Sequence, residues 1–214
     1  MNTETLIHEL SLDCRPVKPV AHPIVGFFKW IVATIASVSA GVFILRPQPD
    51  VWNHLLDPVF VLPAVVLLFI SFVCGLSAFL LVIPDSPVVR FDVISVVAIV
   101  IWFVFVGYLI VSSDVADAQF GIACTLRMIG LAIFPATLMF FMLKKAFPMN
   151  PGLIGLLAVF GALGFAEVGV QFVCRKTFAA HIILWHFLPL CALTFLGIVI
   201  GRKTFRWNVK RRLD

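Results

Sequence analysis

The sequence predicts an all-α membrane protein, a six-transmembrane-helix bundle with both termini cytoplasmic. Three observations carry that expectation. Of 214 residues, 62% are hydrophobic and 13% charged, with a mean hydropathy of +1.10; a soluble domain carries about a quarter charged residues. Six apolar runs, near residues 24–45, 59–83, 92–111, 122–143, 151–172 and 182–201, each reach the length of about 20 residues that a helix needs to cross a bilayer. With a cytoplasmic N-terminus, the inner segments hold twelve basic residues: Arg15, Lys18, Lys29, Arg90, Lys144, Lys145, Arg202, Lys203, Arg206, Lys210, Arg211 and Arg212. The outer loops hold only Arg46, Arg175 and Lys176. That asymmetry follows the positive-inside rule. On this topology Trp30 and Trp207 are expected in an inner aromatic belt and Trp185 in an outer one.

The chain divides into a cytoplasmic N-terminal partner-binding segment (residues 1–23), a transmembrane sensor domain (24–201) and a basic cytoplasmic tail (202–214). No segment outside the runs is long enough to bury a core. An appended catalytic domain is thereby excluded, and the protein is expected not to be an enzyme. The first 23 residues lack the apolar stretch of a signal peptide. The tail RKTFRWNVKRR is basic, but topology and anionic lipid account for its charge, so no direct nucleic-acid contact is expected.

In the leader, Leu6, Ile7 and Leu10 fall on one stripe of a short helix that begins near Thr3 or Glu4. Arg15-Pro16 ends it, and the prolines that follow, Pro19 among them, favour an extended chain. An amphipathic helix needs an apolar partner, either the membrane surface or a groove on another protein. The first outer loop carries Asp50, His54 and Asp57, read as ordinary solvated polarity. In the second run Ser71, Cys74 and Ser77 form a small-residue seam suited to close packing. The third run is nearly devoid of polar residues and is expected to face lipid. In the fourth, Cys124 stands at the outer start and Arg127 about one turn deeper. Arg127 either snorkels to the outer headgroups or sets a cation beside the Cys124 sulfur, favouring thiolate. The fifth run is crowded with glycine and alanine and is expected at the centre of the bundle.

The fifth and sixth runs form a hairpin with the densest polar content. Glu167, Gln171 and Cys174 share one helix face by i, i+4, i+7 spacing. Glu167 and His186 come to similar depth, about 7–11 Å below the turn at ~1.5 Å per residue. An ionisable residue at that depth is a functional candidate, and each is the other's most plausible partner. His181 and His186 are five apart, about 140° around a regular helix, so they do not converge on one ion unless the helix distorts before Pro189. Cys124 and Cys174 both fall at the outer face, and they do not form a CxxC. Three readings stand open: a structural disulfide, a metal- or oxidant-sensing thiol pair with His181, His186 or Glu167 nearby, or unrelated thiols. Thiolate with imidazole suits copper, zinc or cadmium, so a transient soft metal ion at Cys124 and Cys174 is the one cofactor considered.

The leader LIHELSLDCRPVKPV, the six runs, a Cys opening the fourth, a Cys closing the fifth, and HIILWHFLP opening the sixth resemble one family across essentially the whole chain. It is the negative-regulator-of-sigma-factor-F family of bacterial inner-membrane anti-sigma factors. The resemblance implies a multi-pass inner-membrane protein that holds an extracytoplasmic-function sigma factor through its N-terminal segment. It implies release when outer-facing cysteines perceive metal or oxidative stress. By position, Cys124 and Cys174 would be the sensing pair, while Leu6, Leu10, Arg15, Pro16 and Pro19 would lie in the sigma-binding segment. Glu167 and Arg127 are candidates from depth and spacing alone. The competing class is a small proton-coupled carrier or a thiol-redox membrane protein. No inverted repeat links residues 24–111 to 122–201, and no paired broken helices favour a carrier.

Overall fold

The computed structural model describes residues 2–12, 22–49, 51, 58–82, 91–112, 120–144, 150–176 and 179–205. Among these, seven helices follow in order: α1 (Thr3–Leu12), α2 (Pro23–Leu45), α3 (Pro58–Leu80), α4 (Phe91–Ser112), α5 (Ile122–Leu143), α6 (Pro151–Gln171) and α7 (Ala179–Thr204). There is no strand among the described residues, and α2 to α7 are each long and apolar enough to cross a membrane. Proline sits in the first turn of α2 and α6, where its missing N–H costs no helical hydrogen bond. Asn150 caps α6 by accepting from the Leu153 N–H at 3.1 Å.

Helix α6 is the axis of the bundle. In its spanning window 83% of residues are buried, against 22% in α4. Both helices are predominantly apolar, so side-chain volume separates them. Gly155 of α6 meets Gly197 and Gly201 of α7 with nothing but backbone between them; a Cβ on any of the three would collide with the opposing main chain. On another face, Gly161 and Gly164 pack against Ser71 and Gly75 of α3. Association in lipid is driven by close packing, which small residues permit. The Ser71, Cys74 and Ser77 seam is fully buried. Ser77 Oγ and Ser95 Oγ lie 2.7 Å apart, tying α3 to α4. The remaining faces of α4 expose Val97, Val100, Ile101, Val104 and Val111, the face expected toward lipid.

Trp30 departs from expectation. It is fully buried rather than lodged in an interfacial belt. Its indole N–H donates to the Pro135 carbonyl of α5 at 2.9 Å, and its ring packs against Phe27, Phe79 and Phe165. A buried indole requires such an acceptor, and α5 supplies it. In α1, Leu6, Ile7 and Leu12 are exposed, so the predicted apolar stripe is open to a partner; Leu10 also lies within this helix. Arg15, Pro16, Pro19, Cys14, Asp50, His54, Asp57 and Trp207 lie outside the described residues.

Candidate functional site

The end of α2, the start of α5, the end of α6 and the start of α7 meet at one end of the bundle. There they enclose a cleft of about 350 Å³, lined by Arg46, Cys124, Arg127, Cys174, Lys176 and His181, among others. At its base the two sulfurs expected to meet do so. Cys124 Sγ lies 3.5 Å from Cys174 Sγ, both side chains buried and unbridged. Cys174 Sγ is also 3.5 Å from His181 Nε2. Cys174 stands in the turn outside the spanning helices. Its hydrogen bond with Cys124 and its burial push its thiol up to about 11, and a metal ion must displace that proton to use the thiolate.

The two histidines converge, against the regular-helix expectation: their ring centroids are 5.4 Å apart. The cause is a π-helical turn over Ile183–Phe187, marked by the Leu188 N–H donating to the Ile183 carbonyl five residues back. Pro189 explains its position. In a regular helix residue 189 would donate to the Trp185 carbonyl; proline has no N–H, and its ring crowds that carbonyl. The released Trp185 carbonyl accepts instead from Thr125 Oγ1 of α5 at 2.6 Å. A wider turn brings residues five apart onto one face, which closes the 140° gap. Gly121, just before α5, lies against the His181 ring and Trp185, with no room for a Cβ.

Below the thiols, His186 Nδ1 lies 2.9 Å from Glu167 Oε1, and both side chains are buried. The same oxygen accepts from Gln171 Nε2 at 3.1 Å. A carboxylate oxygen only accepts, so Nδ1 carries the hydrogen in this contact. The His186 Nε2 is buried with no hydrogen-bond partner among the described residues. The depth matching of Glu167 and His186 read from the sequence therefore holds.

Cys124, Cys174, His181 and His186 each offer one ligand atom, and all four atoms lie within 4.8 Å of one another. The group could hold a metal ion. It is larger than the two-cysteine ligand set expected from the sequence, because the π turn adds both imidazoles. Glu167 stands behind His186 rather than in the ligand group. Arg127 is exposed and lines the same cleft. Cys74 is buried elsewhere in the core and Cys191 is partly exposed; neither belongs to the group. The cleft cations oppose a dication, each by roughly 2 kcal/mol at ~4 Å in water. Closed four-ligand zinc sites are worth about 10–16 kcal/mol, so ligation outweighs the rim.

Sequence reasoning missed Thr125 and Gly121. The signal for the first was present in Pro189, which strands the carbonyl four residues earlier. A family model described as negative regulator of sigma F matches residues 10–207, nearly the whole chain. No curated protein and no solved structure matches.

Proposed function

The chain belongs to the negative regulator of sigma F family, and from that premise we propose a membrane-embedded anti-sigma factor gated at its cysteine end. Residues 1–23 hold an extracytoplasmic-function sigma factor, and the protein acts by binding rather than catalysis. The bundle sits in a bacterial inner membrane with both termini in the cytoplasm. Oxidant or soft metal arriving at Cys124 and Cys174 weakens the leader's hold, and the sigma factor is released.

The observation that carries this reading is the family match over residues 10–207. Two structural features support it. Leu45 and Arg46, at the end of α2, line the cleft with both cysteines. Pro23, at the start of α2, therefore lies at the opposite end of the bundle, which suits a receiver on one side and an effector on the other. The exposed Leu6 and Ile7 of α1 offer an apolar edge for a partner's groove. A change of packing between α5 and the α6–α7 pair links the ends, and coupling of ~1–3 kcal/mol shifts partner affinity about 5–150-fold.

The test is a reporter for the released sigma factor, with Cys124→Ser and Cys174→Ser in the full chain. Both variants should lose the response to cadmium or peroxide while still holding the partner. A response that persists in both defeats the sensing claim. A second reading, a carrier or thiol-redox protein, draws on the buried Glu167–His186 pair at 2.9 Å. Deleting residues 1–20 separates the two: a regulator loses its partner, whereas a carrier or redox protein keeps its activity.

A further inference from the structure

We propose that Cys124, Cys174, His181 and His186 form one four-coordinate site for a zinc-class dication, with Glu167 as the positioning residue for His186. This deepens the sensing role proposed above, on which its regulatory meaning rests, by naming the ligand and completing its coordination.

Two edges of the cluster have the length that tetrahedral coordination requires. With metal–sulfur bonds of ~2.3 Å and metal–nitrogen bonds of ~2.0–2.1 Å, a tetrahedral site has sulfur–sulfur edges of about 3.8 Å and sulfur–nitrogen edges of about 3.5 Å. The observed Cys124–Cys174 and Cys174–His181 edges are both 3.5 Å, and no ligand pair exceeds 4.8 Å. The independent observation is His186. It is 1% exposed, bonded through Nδ1 to Glu167, and its Nε2 has no partner among the described residues. A carboxylate behind a ligating imidazole fixes ring orientation and tautomer and raises basicity. Gln171 fixes that carboxylate in turn.

Ligand chemistry selects the ion. Two sulfurs and two imidazoles without a carboxylate oxygen disfavour magnesium, calcium and manganese, whereas tetrahedral S2N2 suits zinc, cadmium and the cobalt probe. The ligands come from the start of α5, the turn after α6 and the start of α7, so one ion pins three elements together. The π turn over Ile183–Phe187 is what makes the fourth ligand available.

The experiment titrates the chelator-stripped full chain in detergent with Co²⁺, then displaces it with Zn²⁺ or Cd²⁺. One ion per chain is expected, with thiolate-to-cobalt charge-transfer bands and the intense d–d bands of tetrahedral cobalt. Cys124→Ser and Cys174→Ser should each weaken the charge-transfer band. His181→Ala and His186→Ala should lose tetrahedral intensity and at least ~10-fold in affinity. His181→Cys should keep tetrahedral bands with a stronger charge-transfer band, which a merely structural histidine would not produce. Glu167→Gln should leave the spectrum unchanged and weaken binding about 10–100-fold.

Failure of the wild-type chain to bind Co²⁺ or Zn²⁺ overturns the site, as do unchanged spectrum and affinity in both His→Ala variants. Sigma-factor retention is measured on the same preparations. Retention that responds to Cys124→Ser without any metal uptake sinks the metal site and leaves the regulator standing. Stoichiometric tetrahedral binding with no effect on retention upholds the site and sinks its signalling role.

Discussion

The two ends of the α6–α7 pair are made of opposite materials. At one end Glu167, Cys174, His181 and His186 bring carboxylate, thiol and imidazole into a buried cluster. At the other, Gly155, Gly197 and Gly201 press bare backbone together with no polar side chain involved. The first end is held by directional contacts that a ligand or an oxidant can change. The second is held by shape, which neither can alter. Under the proposed sensing role, a signal acting on the pair would work as a lever, with the chemistry at the thiol end changing and the glycine contact as fulcrum.

Breaking the fulcrum should have the largest effect. Gly155→Leu places a side chain into the α7 backbone, where relief requires the helices to separate. A loss of about 3 kcal/mol or more is expected, at the upper end of overpacking costs, read as a lowered thermal midpoint or aggregation in detergent. A Cβ at Gly107 on α4 meets nothing within 4 Å, and Gly107→Leu should change stability by under ~0.5 kcal/mol. Equal losses from the two would refute the assignment of α6 as the packing axis.

At the thiol end, Glu167→Leu removes the acceptor for His186 and Gln171. About 2–3 kcal/mol of stability should go with it, because two buried donors lose their partner. Chemical denaturation in mixed micelles measures the loss, and an unaffected midpoint would mean the pair carries no stability. Thr125→Val should cost roughly 1 kcal/mol by stranding the Trp185 carbonyl. A wild-type midpoint for this variant would show that the carbonyl finds another donor. Ser77→Ala, which removes the α3–α4 hydroxyl pair at 2.7 Å and the contact of Ser77 Oγ with the Phe91 carbonyl at 3.2 Å, should cost about 0.5–1 kcal/mol and leave cobalt binding untouched. A changed cobalt spectrum there would mean that the two ends are not separable.

The glycine end was largely legible in the sequence. Small residues recurring along one apolar run point to a central helix, and Pro151 to Gln171 is that helix. The thiol end was legible only in part. Cys124 and Cys174 declare themselves by depth and side, and Glu167 with His186 by matched distance from the turn. The convergence of His181 on His186 was legible only as a condition, a distortion before Pro189, because helical arithmetic assumes 3.6 residues per turn and the chain departs from it over five residues. Trp30 was misplaced for a different reason. Aromatic belts are inferred from position along a run, and position does not reveal that Pro135 of another helix presents a carbonyl to the indole.

The widened coil over Ile183–Phe187 reaches beyond the ligands it gathers. A turn that takes in roughly one extra residue offsets the azimuth of all that follows by about 100°. The edge of α7 that offers Gly197 and Gly201 to Gly155 is therefore chosen by the pitch of the thread near its opposite tip. Deleting one residue from that thread would leave the sequence beyond Leu188 intact yet turn its glycines away from their seat.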